Sequence, residues 1–399
     1  MGVAHGELLA VDVPPGPTWL DIVAWCWREG VAFLPLHHRL TDPEKRAIVD
    51  LARPAAILTP EGESTWFADP APVDERVGIL VATSGTAGSP RLVELSRDAV
   101  AAAMAGSNEA IGAGGVGRAT APPAPWVCCL SPAHVGGLLV LLRGVLGGAP
   151  VLVQDRFDVD RFATGSPDGA RASLVPAMLR RLVDAGVDLS TLGELLVGGD
   201  AVEPDLAEAA RGLGGIVVST YGLTETCGGV VYDGRPFSGT QLRVQDPDAL
   251  IEVRGPTVME HYRGDPEATG AAFSVDGWLR TGDVGSLDEG VLRVEGRNED
   301  LIRTGAEKVW PEEVERVLRT EPRVAEVAVA GRPDPEWGER VVAFVVPRSP
   351  DDPPTLSDLR EGAADRIARF KVPRELVLVD ALPRTASGKI RRIALRGRR

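Results

Sequence analysis

Short apolar runs alternate with helical periodicity through the first 235 residues, and the pattern then changes character. Residues 77–81, 151–153, 194–197 and 216–219 are compact apolar runs that read as strands. Residues 176–185 and 204–213 carry apolar positions at helical spacing, each run opening with a proline. Strands alternating with helices predict mostly parallel sheets with crossover helices, the α/β class. From about residue 249 short β segments follow one another at 250–254, 277–280 and 291–294, which predicts a smaller β subdomain. A polar stretch, Gly296-Arg297-Asn298-Glu299-Asp300, then leads into a fresh α+β pattern. Its helix is expected at 311–318, with Pro311 first and Glu312, Glu313 and Glu315 favourable to the helix dipole in the early turns. Strands are expected at 324–330, 340–346 and 376–379, a helix at 356–367, and a Pro-rich surface loop at 347–354. The division is expected at 298/299, with a large domain of sheets and helices over 1–298 and a small α+β domain over 299–399.

Bulk properties narrow the function class. A net charge of −14 over 399 residues argues against a general nucleic-acid binder, and any polyanionic ligand must be held by local donors. Four cysteines, Cys26, Cys128, Cys129 and Cys227, show no C-x-x-C spacing, so a reducing cytoplasm is expected. No signal peptide is read at the acidic N-terminus, where the apolar stretch 19–27 contains Asp21. The longest apolar region, 134–153, is interrupted by Arg143 and Gly147–Gly148, and reads as a buried helix followed by a buried strand, with no membrane span. Among the 43 basic residues the only lysines are Lys45, Lys308, Lys371 and Lys389. A lysine retained under such a bias is a candidate for a role that needs a compact ammonium.

Residues 82–90, Ala-Thr-Ser-Gly-Thr-Ala-Gly-Ser-Pro, carry the strongest chemical signal. They follow an apolar strand and precede a helix-like segment opening near Ser96. Gly85 and Gly88 allow close backbone approach, Thr83, Ser84 and Thr86 add hydroxyls, and successive N–H groups form a nest suited to a polyphosphate. The Walker spacing is absent, and an ordinary Gly/Ser turn between strand and helix is the bland alternative.

Four other segments offer compatible chemistry. Thr220-Tyr221-Gly222-Leu223-Thr224-Glu225-Thr226 supplies an aromatic face, a hydroxyl and a carboxylate for Mg²⁺. Thr281-Gly282-Asp283 sets a carboxylate after a β turn, apt for a ribose diol, with Arg297 as a second contact. Pro383 to Lys389 puts a lysine on a Gly-containing turn, and His134 begins the buried helix. Taken singly, each reads as surface charge, a turn residue or a satisfied histidine.

Their order along the chain resembles the adenylate-forming superfamily of acyl- and aryl-CoA synthetases, nonribosomal adenylation domains and beetle luciferases. The likeness runs through 83–91, 221–226, 252–269, 277–283, 296–315 and 383–389, and covers roughly residues 30–395. It implies two half-reactions: a carboxylate attacks the α-phosphate of ATP to give an acyl-adenylate, and a thiol, normally of coenzyme A, then displaces AMP. It further implies that Thr83, Ser84, Gly85, Thr86 and Gly88 grip the β/γ-phosphates, with Arg91 keeping the positive charge at the loop exit. Thr224 would meet the α-phosphate, and Glu225 would hold Mg²⁺. Tyr221 with Gly222, and the Gly198-Gly199-Asp200 turn, would flank the adenine, and Asp283 and Arg297 would hold the ribose. Lys389 would bridge phosphate and carboxylate oxygens during adenylation, with Thr224, Glu225 and His134 as the other catalytic candidates. Rotation about Glu299 would make the C-terminal domain mobile, withdrawing Lys389 and bringing in the 304–306 loop with Gly305 for thioester formation.

Departures from the family pattern are also legible. The phosphate loop ends Pro-Arg-Leu where Pro-Lys-Gly is usual, the hinge position holds glutamate, and about 80 residues precede the loop. The short segment between Thr226 and Leu250, with Glu225 to Gly234 reading Glu-Thr-Cys-Gly-Gly-Val-Val-Tyr-Asp-Gly, resembles compact o-succinylbenzoate–CoA ligases of menaquinone synthesis. The expectation is therefore an ATP- and Mg²⁺-dependent acid–CoA ligase. A fatty- or aryl-acid ligase, a stand-alone enzyme loading a carrier protein, and a noncatalytic acyl-adenylate binder are the alternatives. Small-molecule acid, ATP and coenzyme A are the expected partners, and a homodimer is left open.

Overall fold

A computed structural model describes residues 2–84, 90–112, 123–305, 307–384 and 390–396. Gly85, Thr86, Gly88, Ala306 and Lys389 lie outside the described residues, and Ser84 is described by its backbone alone. The chain divides into two compact units, one comprising 1–243, 252–281 and 287–292, the other 244–251, 282–286 and 293–399.

The first unit holds two seven-stranded sheets. One runs in the order His261–Tyr262, Pro90–Ser96, Val77–Ser84, Ala32–Pro35, Leu8–Val11, Ala56–Leu58, Ser64–Trp66. The other runs Arg235–Pro236, Gly228–Tyr232, Ile216–Leu223, Glu194–Gly198, Arg171–Leu174, Trp126–Cys128, Val151–Val153. Pairing from Ile216–Leu223 through Val151–Val153 is parallel, as the strand–helix alternation predicts. Helices Thr18–Glu29 and Val135–Gly147 are buried in a core shared by both sheets, where Trp19, Ile22, Leu138 and Leu141 meet Leu9, Phe33, Ile79, Trp126 and Leu196. Helices Pro176–Asp184 and Pro204–Gly212 cover the second sheet through Leu179, Leu182, Leu206 and Ala210. Both begin with proline, whose missing N–H falls where a helix has no internal acceptor.

Three expectations need correction. The phosphate-loop segment does not join a strand to a helix. It joins two antiparallel strands, Val77–Ser84 and Pro90–Ser96, with Thr83 opposite Arg91 and Ser84 opposite Pro90. The helix does open at Ser96, whose hydroxyl caps the Ala99 N–H at 3.2 Å, but a strand precedes it. Val151–Val153 is an edge strand with Leu152 37 % exposed, so it is not buried. Thr281-Gly282-Asp283 lies within the strand Leu279–Asp288 and not after a turn.

Strands Gln241–Gln245, Leu250–Arg254, Leu279–Asp288 and Val291–Arg297 form the expected small β sheet, and the division between units passes through them. The rest of the second unit is a sheet ordered Glu307–Val309, Ile302–Thr304, Gly338–Pro347, Val324–Asp334, with Glu375–Leu378 parallel to Gly338–Pro347. Helices Pro311–Leu318 and Leu356–Ala363 cover one face through Val314, Leu318, Leu359 and Ala363. Leu382 and Leu395 close the other face over Val342 and Phe344.

The four cysteines are buried and unpaired, and burial pushes the thiols of Cys26, Cys128 and Cys227 up to about 12. Among the described residues no helix is long and apolar enough to cross a membrane.

Candidate functional site

In the first unit the candidate residues gather where parallel strands end. Gly198, at the carboxyl end of its strand, is the register partner of Thr220 on the adjoining strand, beside the edge where open α/β sheets bind ligands. A Cβ on Gly198 would lie 2.1 Å from Thr220 Oγ1, so only glycine allows this approach. Gly199 follows with φ +82°, turning the chain, and Asp200 Oδ1 accepts the Ala201 N–H at 2.8 Å. The neighbouring strand does not stop near Ser219. It continues through Tyr221 and Gly222 to Leu223, with an irregularity in its ladder between those two residues. Gly222 is required by packing, since a Cβ there would sit 1.9 Å from the Gly228 carbonyl oxygen.

Thr224–Thr226 forms a single 3₁₀ turn at the strand end. The Thr226 hydroxyl accepts the Leu223 N–H at 2.8 Å and lies 2.8 Å from the Gly228 carbonyl, which locks the turn. The Glu225 carbonyl accepts the Met259 N–H at 2.8 Å, and its Oε1 accepts the Tyr262 phenol at 2.8 Å. Burial, with the Glu225 carboxylate beside it, holds the Tyr262 hydroxyl well above its ordinary value, so it remains a donor. The Arg91 guanidinium lies over the Tyr262 ring, 5.4 Å from its centre.

The donor set can be tested against a metal. Among the described residues no group of three or more His, Cys, Asp or Glu is placed to enclose an ion. Glu225 is a half-buried carboxylate, with its backbone and Oε1 both held. A single carboxylate fits Mg²⁺, which keeps waters and is bound through one or two carboxylates plus substrate phosphates. It does not fit zinc or calcium, which need more protein ligands.

His134 stands at the N-terminal cap of Val135–Gly147. Its ring centre is 5.2 Å from that of His37, which in turn stacks on His38 at 4.8 Å. Burial first, then the charges of His134, His38, Arg39 and Lys45, lower His37 to about 4. This histidine cluster was not visible in the sequence, because His37-His38 and His134 lie on separate elements with no motif joining them.

In the second unit Asp283 and Arg297 are brought together. Asp283 is 5 % exposed, and Arg297 Nε lies 2.9 Å from its Oδ1. Gly282, at φ +73°, turns its carbonyl to accept the Asn298 N–H at 2.9 Å. Gly305, at φ +66°, begins the two-residue connection between Ile302–Thr304 and Glu307–Val309, and its N–H donates to the Trp337 carbonyl at 2.6 Å.

The lysine expectation can be checked for three of the four. Lys45 lies 2.7 Å from Asp12 and Lys371 2.7 Å from Glu313, so these two serve ordinary ion pairs. Lys308 is half exposed, 3.8 Å from Asp248.

Comparison with known proteins gives the family. Residues 66–263 match the model of the AMP-binding enzyme, and residues 313–389 match the AMP-binding enzyme C-terminal domain. A probable 2-succinylbenzoate–CoA ligase of Mycobacterium tuberculosis is 37 % identical over 81 % of this chain and 85 % of that protein. An indoleacetate–CoA ligase of Aromatoleum aromaticum is 34 % identical over 98 % and 88 %. The structure of o-succinylbenzoate CoA synthetase from Bacillus subtilis, in complex with its acyl-adenylate intermediate, superposes with a TM-score of 0.86 at 26 % identity, covering all of this chain and 89 % of that one. The same Bacillus enzyme has been solved with ATP and a magnesium ion, at a TM-score of 0.85 and 26 % identity, covering 98 % and 90 %. The two family models and these relatives, read with the strand-end glycines and the Glu225 turn, show that the chain belongs to the AMP-binding enzyme family.

Proposed function

We propose that this protein is an ATP-dependent acid–CoA ligase that works through an acyl-adenylate, with 2-succinylbenzoate as its acid. The observation that carries the reading is the strand end Thr220–Leu223 passing directly into the Glu225 turn beside the Gly198–Asp200 turn. The 2-succinylbenzoate assignment rests on the 37 % identical relative and the Bacillus structure with its acyl-adenylate.

In this reading Tyr221, Gly222, Gly199 and Asp200 line the adenine, and Asp283 with Arg297 holds the ribose diol. Thr83, Ser84, Gly85, Thr86 and Gly88 bind the outer phosphates, and Arg91 adds charge at the second strand of the hairpin. Thr224 donates to the α-phosphate region and Glu225 orients the Mg²⁺ that travels with ATP. Magnesium, when bound, offsets charge on the phosphates. Lys389 supplies the remaining positive charge where the acid oxygen and the α-phosphate meet, so the reaction depends on positioning and charge neutralisation. His134, set on the histidine cluster, is the remaining catalytic candidate. The boundary at 298/299 and rotation about Glu299 bring Gly305 into play for thioester formation. The unpaired thiols are consistent with a cytoplasmic enzyme.

A second reading, an aryl-acid ligase, is favoured by the indoleacetate–CoA ligase relative, which matches nearly the whole chain. A panel of acids containing 2-succinylbenzoate, indoleacetate, benzoate and a medium-chain fatty acid distinguishes them. With ATP and coenzyme A, 2-succinylbenzoate should give the highest kcat/KM for pyrophosphate release and a thioester of the matching mass. Preference for indoleacetate would move the assignment to the second reading. Absence of pyrophosphate with any acid would remove the ligase proposal.

A further inference from the structure

We infer that Tyr262 is a positioning residue for the metal, fixing the Glu225 carboxylate and the Arg91 guanidinium in one arrangement. The inference rests on the proposal that Glu225 meets Mg²⁺.

Glu225 and Tyr262 are 37 residues apart and reach each other because two unrelated pieces of backbone are stitched together. His261–Tyr262 adds to the first sheet as a two-residue strand, with Tyr262 opposite Val93 and His261 opposite Glu94. That strand is held by the Arg263 N–H to the Leu92 carbonyl at 2.8 Å and the Glu260 N–H to the Glu94 carbonyl at 3.0 Å. The Tyr262 N–H itself is taken by the Thr269 hydroxyl at 3.0 Å, so the residue is fixed on both sides. Three residues earlier, Met259 donates its N–H to the Glu225 carbonyl. The segment 259–262 therefore grips Glu225 twice, once by the main chain and once by the phenol.

This grip has a chemical consequence. A glutamate side chain has three rotatable bonds, and a monodentate metal ligand must keep one oxygen aimed while the other is occupied. The phenol at 2.8 Å from Oε1 meets that need, in the way ligating carboxylates are commonly held by an outer hydrogen bond. The ring of the same tyrosine lies beneath Arg91, at the start of the strand that leaves the proposed phosphate loop. One side chain thus sets the distance between a carboxylate offered to the cation and a guanidinium offered to the anion. Phenylalanine keeps the ring under Arg91 and removes only the hydroxyl.

The experiment measures ATP binding by calorimetry at a series of MgCl₂ concentrations, with no acid present, for wild type, Tyr262→Phe and Glu225→Gln. All three meet the same speciation of ATP and Mg²⁺, so differences in midpoint belong to the protein. Tyr262→Phe should raise the MgCl₂ midpoint about tenfold, the lower end of losses seen when an outer partner of a metal ligand is removed. Its ATP affinity at saturating MgCl₂, its melting temperature and its conversion of supplied acyl-adenylate to thioester should stay at wild-type values. An unchanged midpoint in Tyr262→Phe, with a raised one in Glu225→Gln, would overturn the tyrosine's role and leave the glutamate's intact. An unchanged midpoint in both would remove the metal-ligand reading of Glu225 and this inference with it. A lowered melting temperature with ATP affinity weakened equally at every MgCl₂ concentration would make Tyr262 merely structural and would also overturn it.

Discussion

Arg392 and Glu315 form a two-point ion pair, with Arg392 Nη2 2.9 Å from one carboxylate oxygen and 3.0 Å from the other. Glu315 is only 1 % exposed, and Arg392 also reaches Glu312 at 3.0 Å and Asp300 at 3.4 Å. The chain just after Lys389 is thereby fastened both to the helix Pro311–Leu318 and to the residue next to the proposed hinge. Removing one member of a buried pair leaves the other charge uncompensated, which costs about 3–5 kcal/mol. Arg392→Met should fall at the lower end, because Arg319 and the Val329 N–H remain as partners of Glu315. Urea denaturation measures it, and adding Glu315→Gln should recover part of the loss.

The same cluster carries a pH signature. Burial raises the Glu312 carboxyl from 4.5 to about 7, with Arg392 opposing and Glu315 and Asp300 reinforcing the rise. The folded state then holds more protons on this group than the unfolded chain between those two values, so its contribution to stability declines as pH rises from about 4.5 to about 7 and is level above. Glu312→Gln should raise the melting temperature relative to wild type more at pH 8.5 than at pH 5. An equal shift at both values would show that Glu312 titrates normally.

Lys389→Ala should abolish adenylate formation while sparing thioester formation from supplied acyl-adenylate. Loss of one charge-stabilising contact in a closed site costs about 10²–10³ in rate. Equal losses in both half-reactions would take this role away from Lys389.

At the proposed hinge, two neighbouring residues differ in their hydrogen bonds. The Asp300 N–H donates to the Arg297 carbonyl at 3.0 Å, whereas the Glu299 carbonyl accepts from Arg396. Proline at 300 removes a hydrogen bond and fixes φ, while proline at 299 leaves the Glu299 carbonyl in place and fixes φ near −65°. Glu299→Pro should release pyrophosphate in a single turnover yet form thioester about tenfold more slowly, as a gating defect would. Normal thioester synthesis by both Glu299→Pro and Asp300→Pro would remove rotation at this linker from the mechanism.

The strands Val151–Val153 and Glu194–Gly198 and the helices Pro176–Asp184 and Pro204–Gly212 were legible to within one residue at each end, because their apolar runs are confined to single elements bounded by prolines and glycines, whereas the helix Val159–Gly165 and the strand Arg171–Leu174 between them were not read. The strand Ile216–Leu223 was cut short in the sequence reading, since Thr220-Tyr221-Gly222 reads as loop until Gly228 is seen to press on Gly222. The strand Pro90–Ser96 was hidden by Glu94, a charge at an interior position. Glu94 is tolerated there by Arg263, 2.8 Å away and 169 residues later in the chain. For the candidate site, the sequence offers single residues within motifs and not the contacts that hold them. Tyr262 on Glu225 depends on the pairing of His261–Tyr262 with Pro90–Ser96, and His37 beside His134 on two elements distant in sequence, and no local pattern encodes either.

The antiparallel pairing of Ser84 with Pro90 and Thr83 with Arg91 fixes the chain on either side of residues 85–89 by a main-chain ladder. Because the ladder on either side is anchored by Val81 and Val93 in the core, sequence changes confined to those five positions need not disturb register. If the segment grips the outer phosphates as proposed, a library randomised there should sort variants by triphosphate affinity and not by foldability. The protein's hold on the outer phosphates could then be retuned without renegotiating its fold.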